Sequence, residues 1–409
     1  MNVYAGLILA ALFLDFVLNA VADALNLGAL QPEAPKGFED VYDAERYSKS
    51  QEYTRVRTRF GLIPATFNLL LLLSFWWLGG FSWLDEQARG FERGPVVTGL
   101  IFIGSMAIAK TLLNLPFSWY STFVIEEKFG FNKTTPKTFF TDLVKGLLLT
   151  VILGGGLLSV ILWFFESTGS TAWIWCWAIT TLFILVLQYV APTWIMPLFN
   201  KFKPLEEGEL RKAVMDYAKQ VSFPLEGLFV IDGSRRSTKA NAFFTGFGKH
   251  KRVALYDTLI EKHTTEELLA IVAHEIGHYK CGHILKGMIL GVLQSGVVFF
   301  LLSVFIAHLG LFEAFGLSET SVYAGLVFFG MLYSPIDLIL SFCMQAYSRK
   351  NEFEADAFAK RTTGSGQRLI TALKALSADS LSNLTPHPFY VKLHHSHPPL
   401  VQRVEALNS

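Results

Sequence analysis

The sequence predicts an all-α integral membrane protein of about seven transmembrane helices, with a polar domain containing a small β-hairpin or sheet. Three observations carry this. Residues of the set AVILMFWYC make up 52% of 409 and charged residues only 17%, against roughly 25% charged in ordinary soluble domains; mean hydropathy is +0.38. Seven stretches reach the ~20 mainly apolar residues that cross a hydrocarbon layer. The remaining polar residues gather in two blocks, 200–285 and 348–409. This composition excludes disordered, collagenous and small disulfide-stapled chains, and leaves too little polar surface to cover a soluble core of this size. With 35 Lys+Arg against 34 Asp+Glu, no nucleic-acid partner is expected. Cys176, Cys281 and Cys343 stand apart and offer neither a disulfide framework nor a thiolate zinc site.

In chain order, the spans are expected at 4–25, 60–84, 95–117, 143–165, 171–199, 287–312 and 321–347. In the first, Ala20-Val21-Ala22 mimics a signal-cleavage site, but no basic residue precedes it and Asp15 interrupts it, so a retained anchor is expected. Trp76, Trp77, Trp173 and Trp175 fall near span ends, where amphipathic rings suit the interface. Asp15, Lys110 and Asp337 lie deeper. At about 2.5 kcal/mol or more each when central in lipid, they should face a polar interior or each other.

With seven spans, segments 26–59, 118–140, 200–285 and 348–409 share one side and carry 30 Lys+Arg, whereas 85–94, 166–170 and 313–320 carry two. The positive-inside rule puts the first group in the cytosol. The chain thus divides into residues 1–199, with five spans and cytosolic loops 26–59 and 118–140; a cytosolic segment 200–285; two further spans in 286–347; and a cytosolic segment 348–409. Residues 228–231 and 253–256 read as short strands around a turn-rich middle. The last segment reads as helical to about Lys374, then His/Pro-rich.

His274-Glu275-Ile276-Gly277-His278 is an HExxH pattern following Thr264 and Glu267, which have capping-box spacing. Helical spacing puts both histidines on one face, where they can share a zinc, and sets Glu275 beside them to take a proton from an attacking water. A catalytic zinc needs a third protein ligand. The metzincin pattern fails, because Ile284 stands where its third histidine would be. His283 reads as a helix-end or interfacial histidine. Among carboxylates on the cytosolic side, Glu352, Glu354, Asp356 and Glu405 remain. Glu352 and Asp356 share a helix face one turn apart, which allows Glu352 to bind zinc while Asp356 accepts the second N–H of a ligating imidazole; Glu354 would point elsewhere. His278 lies just before the sixth span and Glu352 just after the seventh, so the metal is expected near the cytosolic membrane boundary.

Taken with Glu126-Glu127-Lys128-Phe129-Gly130-Phe131-Asn132-Lys133, 192–200, Asn241-Ala242-Phe243-Phe244-Thr245-Gly246-Phe247, Glu352-Phe353-Glu354-Ala355-Asp356 and Ser396-His397-Pro398-Pro399, the motif resembles the type I CAAX prenyl endopeptidases along nearly the whole chain. The resemblance implies seven helices surrounding a water-filled chamber and one Zn2+ per chain, held by His274, His278 and Glu352, with Glu275 as base. It implies that Asn241, Ala242 and Phe243 hold the substrate backbone as an added strand, and that His397 and Arg403 line the cleft as oxyanion donors. The expected partners are the lipid bilayer and membrane-associated substrates cut near their C-termini, prenylated ones among them. The rival readings are a quality-control zinc protease acting on damaged proteins and, more remotely, a solute transporter or channel. The compact length favours a bacterial inner membrane; a eukaryotic chain would be expected in the endoplasmic reticulum membrane.

Overall fold

A computed structural model describes residues 2–247 and 250–409. Among the described residues, seven helices are long and apolar enough to cross a membrane: Val3–Gly28, Ala44–Trp77, Gly94–Glu126, Pro136–Ser167, Gly169–Phe199, His283–Phe305 and Val322–Thr363. Each overlaps one of the seven expected spans, but several helices run past the expected bounds, the second beginning at Ala44 and the seventh continuing to Thr363, and two stop short. The second stops at Trp77 because Gly79 takes a left-handed φ of 75° and begins a separate helix, Gly80–Arg89. The sixth stops at Phe305, and a short helix Leu309–Glu313 follows.

Within each span's most apolar window only 6–22% of residues are buried inside the protein. A helix in a filled bundle buries a stripe at least ~100° wide, over a quarter of its positions. All seven spans fall short of that, as expected for helices that surround a chamber. Asp15, Lys110 and Asp337 are all exposed, and among the described residues no ion pair joins them.

The two ends of the helix array are tied by different loops. At one end Trp76 donates its indole N–H to Ala314 O (2.7 Å), Ser82 bonds Gly316 O (2.8 Å), and the Tyr323 hydroxyl donates to Asp85 (2.6 Å). At the other, Lys239 pairs with Glu126 (2.8 Å), Arg236 with Asp142 (2.8 Å), Lys128 with Glu52 (2.7 Å) and Arg46 with Asp379. The lysine-rich loops and both polar blocks therefore meet at one end, as the alternation of spans requires.

The polar blocks build one domain. Its sheet has strands β1 (Phe202–Pro204), β2 (Leu225–Ile231), β3 (Ala242–Phe247) and β4 (His250–Tyr256), in the order β1-β2-β4-β3. The two strands expected from the sequence are neighbours but run parallel, Leu228 opposite Val253 and Ile231 opposite Tyr256. Segment 232–252 makes this possible by carrying the chain back through β3, which pairs antiparallel with β4 and forms the sheet edge. Val253, Leu255, Leu268, Val272, Ile276, Phe358 and Leu369 bury the sheet against three helices: Thr265–Lys280, the end of Val322–Thr363, and Gln367–Asp379.

Candidate metal centre and cleft

The Thr265–Lys280 helix starts where the sequence predicts. The Thr264 hydroxyl accepts the Glu267 N–H (3.3 Å), and the Glu267 carboxylate accepts the Thr264 N–H (3.0 Å). Both groups that the helix end would otherwise orphan are satisfied. The helix then runs beneath the extension of the seventh span. That span is 42 residues long, about 63 Å at 1.5 Å per residue, roughly twice the hydrocarbon thickness. Its last turns therefore project beyond the membrane and carry Glu352 and Asp356 with them. Gly277, inside the motif, sets the crossing distance: a Cβ there would meet the Ala355 backbone at 3.1–3.2 Å.

This close approach brings three donors together. His274 Nε2 and His278 Nε2 are 3.2 Å apart, His278 Nε2 is 3.2 Å from Glu352 Oε1, and His274 Nε2 is 3.5 Å from Glu352 Oε2. A tetrahedral ion with bonds of about 2.0–2.1 Å separates its ligand atoms by about 3.3 Å. Glu352 is 3% exposed, and among the described residues its Oε2 accepts no hydrogen bond, although Arg403 forms an ion pair with it. A buried carboxylate oxygen without a donor is costly, and a cation at this point would satisfy it. Two imidazoles and one carboxylate form a donor set that suits zinc, so these residues fit a metal.

Asp356 accepts from His274 Nδ1 at 2.8 Å. Arg403 grips Asp356 with a fork, Nε to Oδ2 at 2.8 Å and Nη2 to Oδ1 at 2.7 Å, while its Nη1 lies 3.4 Å from Glu352 Oε2. Burial alone would lower the His274 pKa, but Asp356 and Glu352 outweigh it and push the pKa up to about 9. Glu275 is held above the usual carboxylate range because burial disfavours its charge.

The donors open into a cavity of about 280 Å³ lined by Asn241, Ala242, His274, Glu275, Glu352, His397 and Arg403. Leu369, Leu373 and Leu376, at helical spacing, form a leucine wall of the same cavity with Leu259 and Ile271, and Ser377, Ser380 and Ser382 line it as well. His397 is exposed and places Nε2 3.4 Å from Glu352 Oε1. Asn241 and Ala242 reach the cavity at the start of β3; Phe243 belongs to the same edge strand but does not line it.

The structure also joins residues that sequence reasoning left apart. His283 Nδ1 is 3.1 Å from His278 Nδ1, and His283 Nε2 is 3.1 Å from Glu354 Oε2. Glu354, expected to point elsewhere, thus reaches the metal centre through a histidine read as interfacial. The leucine wall had a signal in the i, i+4, i+7 spacing of 369, 373 and 376.

The family model described as "CAAX prenyl protease N-terminal, five membrane helices" matches residues 25–201, and that of peptidase family M48 matches residues 204–409. CAAX prenyl protease 1 of Saccharomyces cerevisiae is 36% identical, covering 92% of this chain and 89% of its own length. The human CAAX prenyl protease 1 homolog is 34% identical, over 92% and 88%. The crystal structure of S. mikatae Ste24p superposes with a TM-score of 0.95 at 33% identity, covering 100% of both chains. The chain belongs to peptidase family M48 and is an integral-membrane metalloendopeptidase.

Proposed function

We propose that this chain is a zinc-dependent endopeptidase cutting near the C-terminus of membrane-associated proteins or peptides, with prenylated CAAX sequences as its main substrate class. The observation that carries the reading is a three-donor centre, buried at His274 and Glu352, that shares one cavity with the start of the sheet's edge strand. His274, His278 and Glu352 hold one Zn2+ per chain. Bound there, zinc polarises the scissile carbonyl and acidifies the attacking water. Glu275 takes the proton of that water and returns it to the leaving amine, a task suited to its raised pKa. Asp356 fixes the His274 ring through its Nδ1–H.

Substrate backbone adds to the strand that begins at Asn241, Ala242 and Phe243, so main-chain hydrogen bonds give binding without reading sequence. The leucine wall receives an aliphatic side chain, as the two central positions of a CAAX tail would offer. The chamber leaves room for a lipid tail. His397, exposed beside the donors, is positioned to donate to the developing oxyanion. Arg403, expected from the sequence as a second such donor, has Nε and Nη2 committed to Asp356; we assign it to neutralising the two buried carboxylates. The metal end of the molecule faces the cytosol, in the bacterial inner membrane or, in a eukaryotic cell, that of the endoplasmic reticulum.

The test compares three substrates on the purified protein in lipid vesicles: a farnesylated CAAX peptide, the same peptide without farnesyl, and an unfolded soluble protein. The farnesylated peptide is expected to have a kcat/KM higher by about tenfold or more, from burial of part of its chain. Equal cleavage of the two peptides would remove the lipid from recognition. Preferential degradation of the unfolded protein would favour the quality-control reading.

A further inference from the structure

We propose that His283 is a positioning residue for the metal centre: its Nδ1 accepts the N–H of His278, and Glu354 holds the other nitrogen of its ring. The inference rests on the reading that His278 ligates the metal through Nε2.

Hydrogen-bond chemistry allows one consistent assignment. His278 Nε2 faces the donor cluster, 3.2 Å from both His274 Nε2 and Glu352 Oε1. A neutral imidazole carries a single N–H. With Nε2 given to a metal, the His278 proton sits on Nδ1 and is aimed at His283 Nδ1, 3.1 Å away. The Glu354 carboxylate, 3.1 Å from His283 Nε2, only accepts. The His283 proton therefore sits on Nε2, which leaves Nδ1 free to accept. The opposite His283 tautomer would point two N–H groups at each other. The two histidine ligands are thus held by different means. Asp356 grips His274 directly, whereas His278 is held through an imidazole that a carboxylate orients in turn.

The local chain is shaped for this contact. In an unbroken helix, residues five apart point about 140° away from each other. Gly282 interrupts the helix with a left-handed φ of 74°, which turns His283 back beneath His278. The His283 side chain is 5% exposed, whereas Glu354 is 42% exposed. His283 opens the sixth span and Glu354 lies on the projecting end of the seventh, so the ends of both membrane helices meet at the ligand. Cys281, His283 and Glu354 also bring donor atoms within 4.8 Å of one another. A second metal there would claim the His283 nitrogen that Glu354 holds.

The experiment uses the full-length protein and four variants: His283→Leu, His283→Asn, Glu354→Ala and His278→Ala. Zinc affinity and stoichiometry are measured by chelator competition, the ligand field by visible absorption of the cobalt-substituted protein, and the fold by melting of the metal-free protein. His283→Leu is expected to weaken zinc about 10- to 100-fold and shift the cobalt bands. In His283→Asn an amide oxygen takes the place of Nδ1, and affinity is expected to return to within about threefold of the parent. Glu354→Ala is expected to weaken zinc several-fold with unchanged metal-free melting.

Parental affinity and spectrum in His283→Leu, or equal losses in the Leu and Asn variants, would overturn the proposal. So would a stoichiometry falling from two zinc ions to one in His283→Leu, which would assign His283 to a second metal. If His283→Leu does not fold, unchanged affinity in Glu354→Ala decides against it. Retained zinc in His278→Ala would overturn the ligand reading and the proposal together; zinc lost there but kept in His283→Leu would overturn the proposal alone.

Discussion

His274 lies between two carboxylates that keep its ring protonated up to about pH 9 when no metal is bound. A metal must displace that proton from Nε2, because the Nδ1 proton is held by Asp356. Apparent zinc affinity is therefore expected to rise about tenfold per pH unit between neutral pH and pH 9, then level off. Zinc titrations in buffers of different ionisation enthalpy check this through the proton released; a pH-independent affinity would contradict it. The same shift acts on the metal-free fold. Folding raises this pKa above the ~6.5 of a free imidazole, so the stabilisation is fully present below ~6.5 and is lost as pH rises through about 9.

Among elements, the decisive contact is the crossing of the Thr265–Lys280 helix over the end of the seventh span, where Gly277 meets Ala355. Gly277→Ala forces the two backbones apart by a few tenths of an ångström, an overpacking cost of about 1–3 kcal/mol. Because Glu352 rides on the displaced helix, zinc affinity is expected to fall along with the melting temperature. A variant that melts lower but binds zinc as the parent does would uncouple the crossing from the site. Sequence made the two helices legible, since capping chemistry, motif spacing and hydropathy are local signals. It narrowed the third ligand to cytosolic carboxylates and put Glu352 and Asp356 on one helix face, but their contact with the motif helix stayed hidden, because helix-to-helix distance has no local signature. The parallel pairing of β2 with β4, the recruitment of His283 by the Gly282 break, and the commitment of Arg403 to Asp356 were hidden for the same reason.

At the scale of the whole molecule, the near-neutral net charge of +1 conceals a strong asymmetry, 30 Lys+Arg on one set of loops against two on the other. The structure gathers the first set at the metal end and ties loops of the second together at the opposite end. Single cysteines placed at Glu33 and Glu92 in a background lacking the native three are expected to label from opposite sides of intact vesicles. Labelling of both from one side would break the seven-span topology. Family membership in the M48 peptidases sets aside the transporter reading.

The most direct measurement is zinc content and peptide cleavage by purified Glu275→Gln protein. Glu275 lines the cavity but is not among the three clustered donors. The variant is therefore expected to keep one zinc per chain and the parent's melting temperature, while kcat falls by about two to four orders of magnitude. Undiminished cleavage by the zinc-loaded variant would contradict the assignment of Glu275 as the base.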